Sequence, residues 1–151
     1  MLSKAKHIQL LLNHTVRAIK DIIPMNVEIH APSVTPEPYI QKEISVLIGL
    51  VGETNGRILI DTTESMMKKI GEKMFQMPIN DEYLESLSGE IGNMLSGNVC
   101  VGLESDGLVF DISTPTIMSG EAKFHGFGKA ITLPVSLDGE SEMKVLVMLD
   151  D

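Results

Sequence analysis

The sequence predicts an α+β domain, a two-layer fold in which helices pack on a largely antiparallel sheet. Three observations lead to this class. Apolar residues recur at helical spacing in three segments, strand-like segments lie before and after the two central helices, and two hairpin turn signals join neighbouring strands. The chain has 151 residues, enough for one core, and no repeat or linker divides it. We therefore expect a single domain over residues 1–151.

The first part of the chain is predicted to contain one helix and two paired strands. In order, the segments are a helix over residues 3–23, an extended piece over 27–30, a loop with three prolines, and strands over 43–52 and 57–60. Pro24 closes the helix because proline cannot continue it. Thr54-Asn55-Gly56 is a strong hairpin signal, so the two strands should pair.

Two helices are predicted in the middle of the chain. Asp61 is followed three residues later by Glu64, which resembles a capping box and predicts a helix running to about residue 76. Pro78 ends it. A longer helix, capped by Asn80 or Asp81, is predicted to extend to about residue 101.

Strands are predicted after Gly102. They cover residues 108–113, 129–137 and 143–149. Pro134 lies inside the second of these strands and favours an edge or a bulge, because it cannot donate to a neighbouring strand. Asp138-Gly139 is a hairpin turn signal between the last two strands.

The charge of the chain is unevenly distributed. Asp and Glu number 21 against 12 Lys and Arg, for a formal net charge of −9. This balance argues against nucleic-acid binding and against a polybasic membrane anchor, both of which need cations. Between Lys73 and Lys123 there are 49 residues without Lys or Arg. This stretch holds eight acids, namely Asp81, Glu82, Glu85, Glu90, Glu104, Asp106, Asp111 and Glu121.

Several functional classes lack their sequence signatures. The single cysteine, Cys100, excludes an internal disulfide, suits a reducing compartment, and is better interpreted as a small buried side chain than as a reactive thiol. The longest apolar run, residues 46–51, is far too short to span a bilayer. His7 and His14 are seven residues apart, whereas two imidazoles on a helix share a metal at a spacing of four. We expect a cytoplasmic protein with no membrane insertion and no metal site.

The most informative segment is the helix predicted over residues 81–101. Its apolar stripe packs on the sheet, and Ser86, Glu90, Asn93 and Gly97 fall on a second line about 120° away. A carboxylate and a carboxamide therefore lie one turn apart on an exposed face. Taken alone, these two side chains are better explained as part of a solvated helix surface.

Three interior glycines argue for more than a solvated surface. Gly89, Gly92 and Gly97 each cost about 1 kcal/mol relative to alanine within a helix. Glycines at these positions make sense if another molecule approaches the helix closely. For Gly92, which turns toward the other flank, a packing explanation is open. The composition of this face favours docking.

The run from Ser86 to Asn98 resembles the signature of the CheX/CheC/FliY phosphatases of bacterial chemotaxis. That signature is Asp or Ser, three residues, Glu, two residues, Asn, and a proline about 22 residues later. Ser86, Glu90 and Asn93 match it, and Pro115 lies 22 residues after Asn93. The dense match covers some thirteen residues and is most similar to the CheX branch, while length and element order agree over the whole chain.

The resemblance implies one site per chain. CheC and FliY proteins carry a second copy of the motif on their first helix. The corresponding stretch here, Leu10-Leu11-Leu12-Asn13, has leucine where the glutamate should be. Asn13 is thus expected to be structural. The resemblance also implies a homodimer.

The resemblance implies hydrolysis of the aspartyl phosphate on a CheY-like response regulator. In that reaction Asn93 would orient the attacking water and Glu90 would pair with a receiver lysine. Ser86, Gly89 and Gly97 would contact the partner. The protein would carry no cofactor of its own, and the receiver would bring Mg²⁺ and its lysine.

Two other functions stay open at this point. The first is a non-catalytic docking module that binds a response regulator or a flagellar motor component. The second is a small-molecule enzyme that uses exposed carboxylates such as Glu85 and Glu90, which would require a pocket and a second perturbed acid.

Overall fold

The computed structural model describes residues 3–150. In chain order its elements are α1 (Lys4–Ile22), β1 (Val27–Ile29), β2 (Ser33–Pro36), β3 (Tyr39–Gln41), β4 (Ile44–Gly52), β5 (Gly56–Thr62), α2 (Glu64–Phe75), a 3₁₀ turn (Asp81–Tyr83), α3 (Leu84–Ser105), β6 (Phe110–Ile112), β7 (Thr116–Ser119), β8 (Ala122–Phe124), β9 (Lys129–Leu137) and β10 (Glu140–Leu149).

The strands form one large sheet and one small one. In the large sheet the order is β1-β9-β10-β5-β4-β6, with β2 also beside β9 and β7 also beside β4. The second sheet pairs β3 with β8. Every pair among the described residues is antiparallel. Each outer edge of the large sheet therefore consists of two short strands that share one long neighbour.

The core lies between one face of the large sheet and the helices α1, α2 and α3. Strand residues on this face alternate with residues on the other face, where a smaller apolar cluster forms. Tyr39 of β3 and Phe124 of β8 belong to this smaller cluster, so the two-stranded sheet covers part of the second face. The predicted α+β class, with helices on a mostly antiparallel sheet, is confirmed.

Four short strands lie outside the predicted segments. The strands β2 and β3 occupy the segment predicted as a proline-containing loop, and β7 and β8 follow β6 in a segment without a predicted strand. Each has only three or four residues, too few to show a period of two. They form because neighbouring strands supply their hydrogen-bonding partners. β2 pairs with β9, β7 pairs with β4, and β3 and β8 pair with each other.

The predicted start of α2 at Asp61 is wrong. Asp61 is the sixth residue of β5, which pairs with β4 and β10 through Thr62. Thr63 caps the helix instead, because its side chain accepts a hydrogen bond from the Met66 N–H at 3.0 Å. The carboxylate of Asp61 accepts a hydrogen bond from the Tyr39 hydroxyl, and burial raises the pKa of both groups.

The boundaries of α3 also differ from the prediction. Neither Asn80 nor Asp81 caps it through a side chain, since a 3₁₀ turn precedes the α-helix and the Asn80 side chain makes no capping hydrogen bond. The helix continues four residues beyond 101 and ends where Gly107, at φ 85°, allows the Leu108 N–H to bond to the Leu103 carbonyl. The strand that follows begins later than predicted, at Phe110.

Pro134 does not lie on an edge strand. The strand β9 has β10 on one side and β1 with β2 on the other. The Pro134 carbonyl accepts a hydrogen bond from the His30 N–H at 2.9 Å, in the gap between β1 and β2. The N–H and C=O groups of one strand residue point to the same side of the strand. The N–H group that Pro134 lacks would therefore point into this gap, where it is not needed to pair with β1 or β2. The nearby register shift lies in β10, between Glu140 and Met143.

Candidate active site

The candidate site is the solvent-facing side of α3. The other side of the helix is buried in the core through Leu84, Leu87, Ile91, Leu95, Val99 and Leu103. Ser86, Glu90 and Asn93 are exposed and Gly97 is half-buried. These four residues, called the ridge below, share one side of the helix as its periodicity predicts.

Glu90 and Asn93 are free to bind a partner. Neither side chain has a hydrogen bond or ion pair to any residue within 3–150. Other acids of the anionic stretch are engaged, since Asp81 pairs with Lys68 and Asp106 with His14. A carboxylate and a carboxamide one turn apart thus have their full hydrogen-bonding capacity available, because a carboxamide both donates and accepts.

The ridge is bordered by helices on one flank and by short strands on the other. On the first flank Leu87 fits against Gly71 of α2, where an added Cβ would meet its Cδ2 at 2.4 Å. On the second flank Gly89 faces Ile117 of β7. Pro115, the proline of the motif, lies half-buried in the segment that joins β6 to β7. The proline is therefore next to the strand that contacts α3.

The structure separates the three glycines that the sequence groups together. A Cβ on Gly92 would lie 2.7 Å from Val46 Cγ1, so this glycine is required for packing on β4. A Cβ on Gly89 would lie 3.3 Å from Ile117 Cδ1, a tight contact. A Cβ on Gly97 would meet nothing within 4 Å. Close packing in the free protein therefore accounts for Gly92 and leaves Gly97 without a packing reason.

Two buried serines lie on the inner side of the same helix. Ser88 donates to the Leu84 carbonyl at 2.7 Å, and Ser96 donates to the Gly92 carbonyl at 2.8 Å. Each hydroxyl is thus satisfied within its own helix, which removes the cost of burying it. Neither serine therefore needs a hydrogen-bonding partner outside α3.

A buried histidine fixes the end of α3 to α1. His14 Nε2 lies 2.6 Å from Asp106 Oδ2, just after the last residue of the helix. A Cβ on Gly102 would lie 2.2 Å from His14 Nδ1, so this position must be glycine for the ring to fit. His7 is buried as well and lies 3.0 Å from Thr54 Oγ1. The sequence does not reveal these contacts because they join residues far apart in the chain.

The surface around the ridge is anionic. Glu82, Glu85 and Glu104 are exposed on or beside α3, and no ion pair joins them to any residue within 3–150. Asp111 lies near enough to Cys100 to raise the pKa of its thiol, although burial is the larger cause. Cys100 itself is half-buried against the core. A cation brought by a partner would meet unpaired carboxylates here.

No group of three or more His, Cys, Asp or Glu side chains in residues 3–150 could hold a metal ion. A cleft of about 220 Å³ lies elsewhere, between β3, β5 and β10, and is lined by residues that include Tyr39, Asp61 and Lys144. It contains neither Glu85 nor Glu90. The two carboxylates that a small-molecule enzyme would use are therefore outside this cleft.

No helix in the described part of the chain is both long and apolar enough to cross a membrane.

An antiparallel α+β fold that exposes an unpaired Glu and Asn on one helix is the arrangement that the motif implies for chemotaxis phosphatases. Residues 44–125, which include all of α3 and the motif proline, match the family model described as chemotaxis phosphatase CheX. The chain belongs to this family. It is therefore a phosphatase, an enzyme of the hydrolase class.

One relative and two solved structures are similar to this chain over nearly its whole length. The chain is 29% identical over 142 residues to the CheY-P phosphatase CheX of Thermotoga maritima, covering 91% of this chain and 92% of the relative. Its fold is similar to that of the chemotaxis protein CheX from Vibrio vulnificus, with a TM-score of 0.78, 23% identity and coverage of 96% and 99% of the two chains. A structure of the CheX-CheY-BeF₃-Mg²⁺ complex from Borrelia burgdorferi matches with a TM-score of 0.77 and 24% identity, over 95% and 97% of the chains.

Proposed function

We propose that this protein hydrolyses the aspartyl phosphate of a CheY-like response regulator. The observation that carries the proposal is the pair Glu90 and Asn93, exposed one turn apart on α3 and without partners in residues 3–150. The relative from Thermotoga maritima is a CheY-P phosphatase, and the protein from Borrelia burgdorferi forms a complex with CheY. Both support a phosphorylated receiver as the substrate, in chemotaxis or another two-component pathway.

Asn93 is proposed to orient the attacking water. In the reaction, the water oxygen bonds to phosphorus while the bond from phosphorus to the aspartate oxygen breaks, releasing phosphate and the free carboxylate. The transition state for this transfer is loose and in line, so the position of the water matters more than the strength of a base. The Asn93 carboxamide can accept a hydrogen bond from the water and donate another to a phosphoryl oxygen.

Glu90 is proposed to fix the alignment of the two proteins. Its carboxylate would pair with a lysine of the receiver and thereby position Asn93, one turn away, behind the phosphorus atom. Ser86, Gly89 and Gly97 would contribute contacts along the same helix. Of the two glycines, Gly97 has the open surface that a close approach requires, because nothing lies within 4 Å of its Cβ position.

The cations of the reaction are proposed to come from the substrate. Phosphoryl transfer requires positive charge beside the transferring group. The stretch from residue 74 to 122 contains no Lys or Arg. A receiver domain that brings its own Mg²⁺ and lysine would complete the site, and the unpaired carboxylates around α3 would attract that cationic surface. A cytoplasmic location, where response regulators act, belongs to the same proposal.

The activity is tested by adding the protein to a phosphorylated CheY-like receiver with Mg²⁺ and following phosphate release. Catalysis should far exceed the spontaneous hydrolysis of the receiver. If the protein binds the phosphorylated receiver without accelerating hydrolysis, it is instead a docking module for a response regulator or a flagellar motor component.

Replacing Glu90 by glutamine should weaken docking. The substitution keeps the shape and removes the charge, so we expect KM for the phosphorylated receiver to rise about tenfold as the ion pair is lost. The dependence of KM on salt should also become weaker, because fewer opposite charges meet. Glu85→Gln is the matched control, since Glu85 is an exposed acid of the same helix that lies off the ridge. Equal KM values for wild type and Glu90→Gln would contradict the role of Glu90.

We also propose that the protein is a homodimer. The outer strands β1 with β2 and β6 with β7 end the sheet on either side, and such edges can pair with another chain. Light scattering should give twice the chain mass of 16.5 kDa. A single-chain mass at micromolar concentration would reject the dimer.

A further inference from the structure

We propose that Tyr83 and Val101 are docking residues that extend the ridge at both ends and set the affinity for the receiver. This inference rests on the proposed function. Tyr83 lies seven residues before Glu90, and Val101 lies eleven residues after it. Eleven residues are close to three helical turns, so Val101 lies on the same side of α3 as Glu90. Tyr83 is the last residue of the 3₁₀ turn directly before α3 and lies about two turns before Glu90.

Both side chains are unusually exposed for apolar residues. Tyr83 is 56% exposed and Val101 is 70% exposed, although most large apolar residues of α3 are buried. The Tyr83 hydroxyl has no hydrogen-bonding partner within residues 3–150. Interfaces are enriched in aromatic residues such as tyrosine, whose ring supplies apolar contact area and whose hydroxyl can hydrogen-bond to a partner.

Neither residue improves the stability of the helix that carries it. Tyr83 occupies the position before α3 where Ser, Thr, Asp or Asn would cap the helix, and it makes no capping hydrogen bond. Val101 is β-branched, which disfavours an exposed helical position relative to alanine. Like Gly97, Tyr83 and Val101 make the helix less stable than better capping or helix-forming residues would. No packing contact within residues 3–150 of the free protein compensates for this loss.

The spacing and the charges fit a receiver domain as the occupant. From Tyr83 to Val101 the helix rises about 27 Å, close to the roughly 30 Å width of an interface that buries about 800 Å² per partner. The acids between and beside the two residues, Glu82, Glu85 and Glu104, lack ion pairs within residues 3–150. They would repel an anionic lipid surface, a nucleic acid or the same face of a second copy. This surface therefore fits a partner whose cationic centre is surrounded by apolar residues.

The test measures the affinity for a receiver activated with beryllium fluoride and Mg²⁺, together with the hydrolysis of the phosphorylated receiver. Tyr83→Ala should raise Kd and KM about tenfold, and Val101→Ala about threefold, with kcat within twofold of wild type, because the contacts are remote from the phosphorus atom. Ile40→Ala is the matched control, since Ile40 is 51% exposed on β3 of the small sheet, over the face of the large sheet opposite to α3. It should change neither constant.

Two results separate this inference from the proposed function. Unchanged Kd and KM for Tyr83→Ala and Val101→Ala, with thermal unfolding like that of wild type, would overturn the docking role while leaving a functional phosphatase. Absence of hydrolysis by the wild type would overturn the proposed activity, and the Kd values would still decide on Tyr83 and Val101. If the wild type does not bind the activated receiver, both proposals fail.

Discussion

Asn93→Ala is expected to lower kcat for receiver dephosphorylation on the order of 10²-fold while leaving the affinity for the receiver nearly unchanged. Removing one group that is pre-positioned for the transition state typically costs 10²- to 10³-fold in other enzymes. Asn93 is exposed and its side chain contacts no hydrogen-bonding partner within residues 3–150, so its loss should not disturb the fold. Steady-state phosphate release at saturating phosphorylated receiver measures kcat, and binding of a beryllium fluoride-activated receiver measures the affinity.

Asn13→Ala provides the control for this experiment. Asn13 is also an exposed asparagine on a helix, and it lies where related proteins carry the second copy of the motif. Leu10, which stands in place of the glutamate, is partly buried against the core. We therefore expect wild-type rates for Asn13→Ala. A large loss of rate in Asn13→Ala, or none in Asn93→Ala, would contradict a single catalytic helix per chain.

The ridge could be predicted from the sequence because its geometry depends on one helix only. Once Leu87, Ile91 and Leu95 define the buried side, the direction of Glu90 and Asn93 follows from 100° per residue. The position of that helix in the fold could not be predicted in the same way. His14 and Asp106 are separated by 92 residues in the chain, and only the packed structure places them together.

Local signals failed where tertiary pairing was stronger. The pattern from Asp61 to Glu64 is a plausible helix start, yet β4 and β10 extend β5 through Thr62 and move the cap to Thr63. Similarly, Pro134 is compatible with an inner strand only because β1 and β2 leave a gap beside it. In both cases the deciding hydrogen bonds come from segments distant in sequence.

Gly92→Ala is expected to destabilise the protein. Its Cβ would lie 2.7 Å from Val46 Cγ1 and 3.1 Å from Ile48 Cδ1, and both side chains are fully buried. Overpacking of a core costs about 1–3 kcal/mol, which exceeds the gain of about 1 kcal/mol from helix propensity. We expect the free energy of unfolding to fall by up to about 2 kcal/mol and Tm by several degrees. Thermal and urea unfolding measure both, and an unchanged stability would show that α3 can move away from β4 without cost.

Gly97→Ala should have the opposite effect on stability, and this contrast tests the docking interpretation. Because its Cβ would meet nothing within 4 Å, the alanine variant should gain up to about 1 kcal/mol of stability from helix propensity alone. If the receiver approaches the backbone at Gly97, the added methyl group must separate the two surfaces, and KM should rise although the enzyme is more stable. A variant that is both more stable and fully active would show that Gly97 has no part in docking. Stability and affinity therefore change in opposite directions only if the ridge is a binding surface.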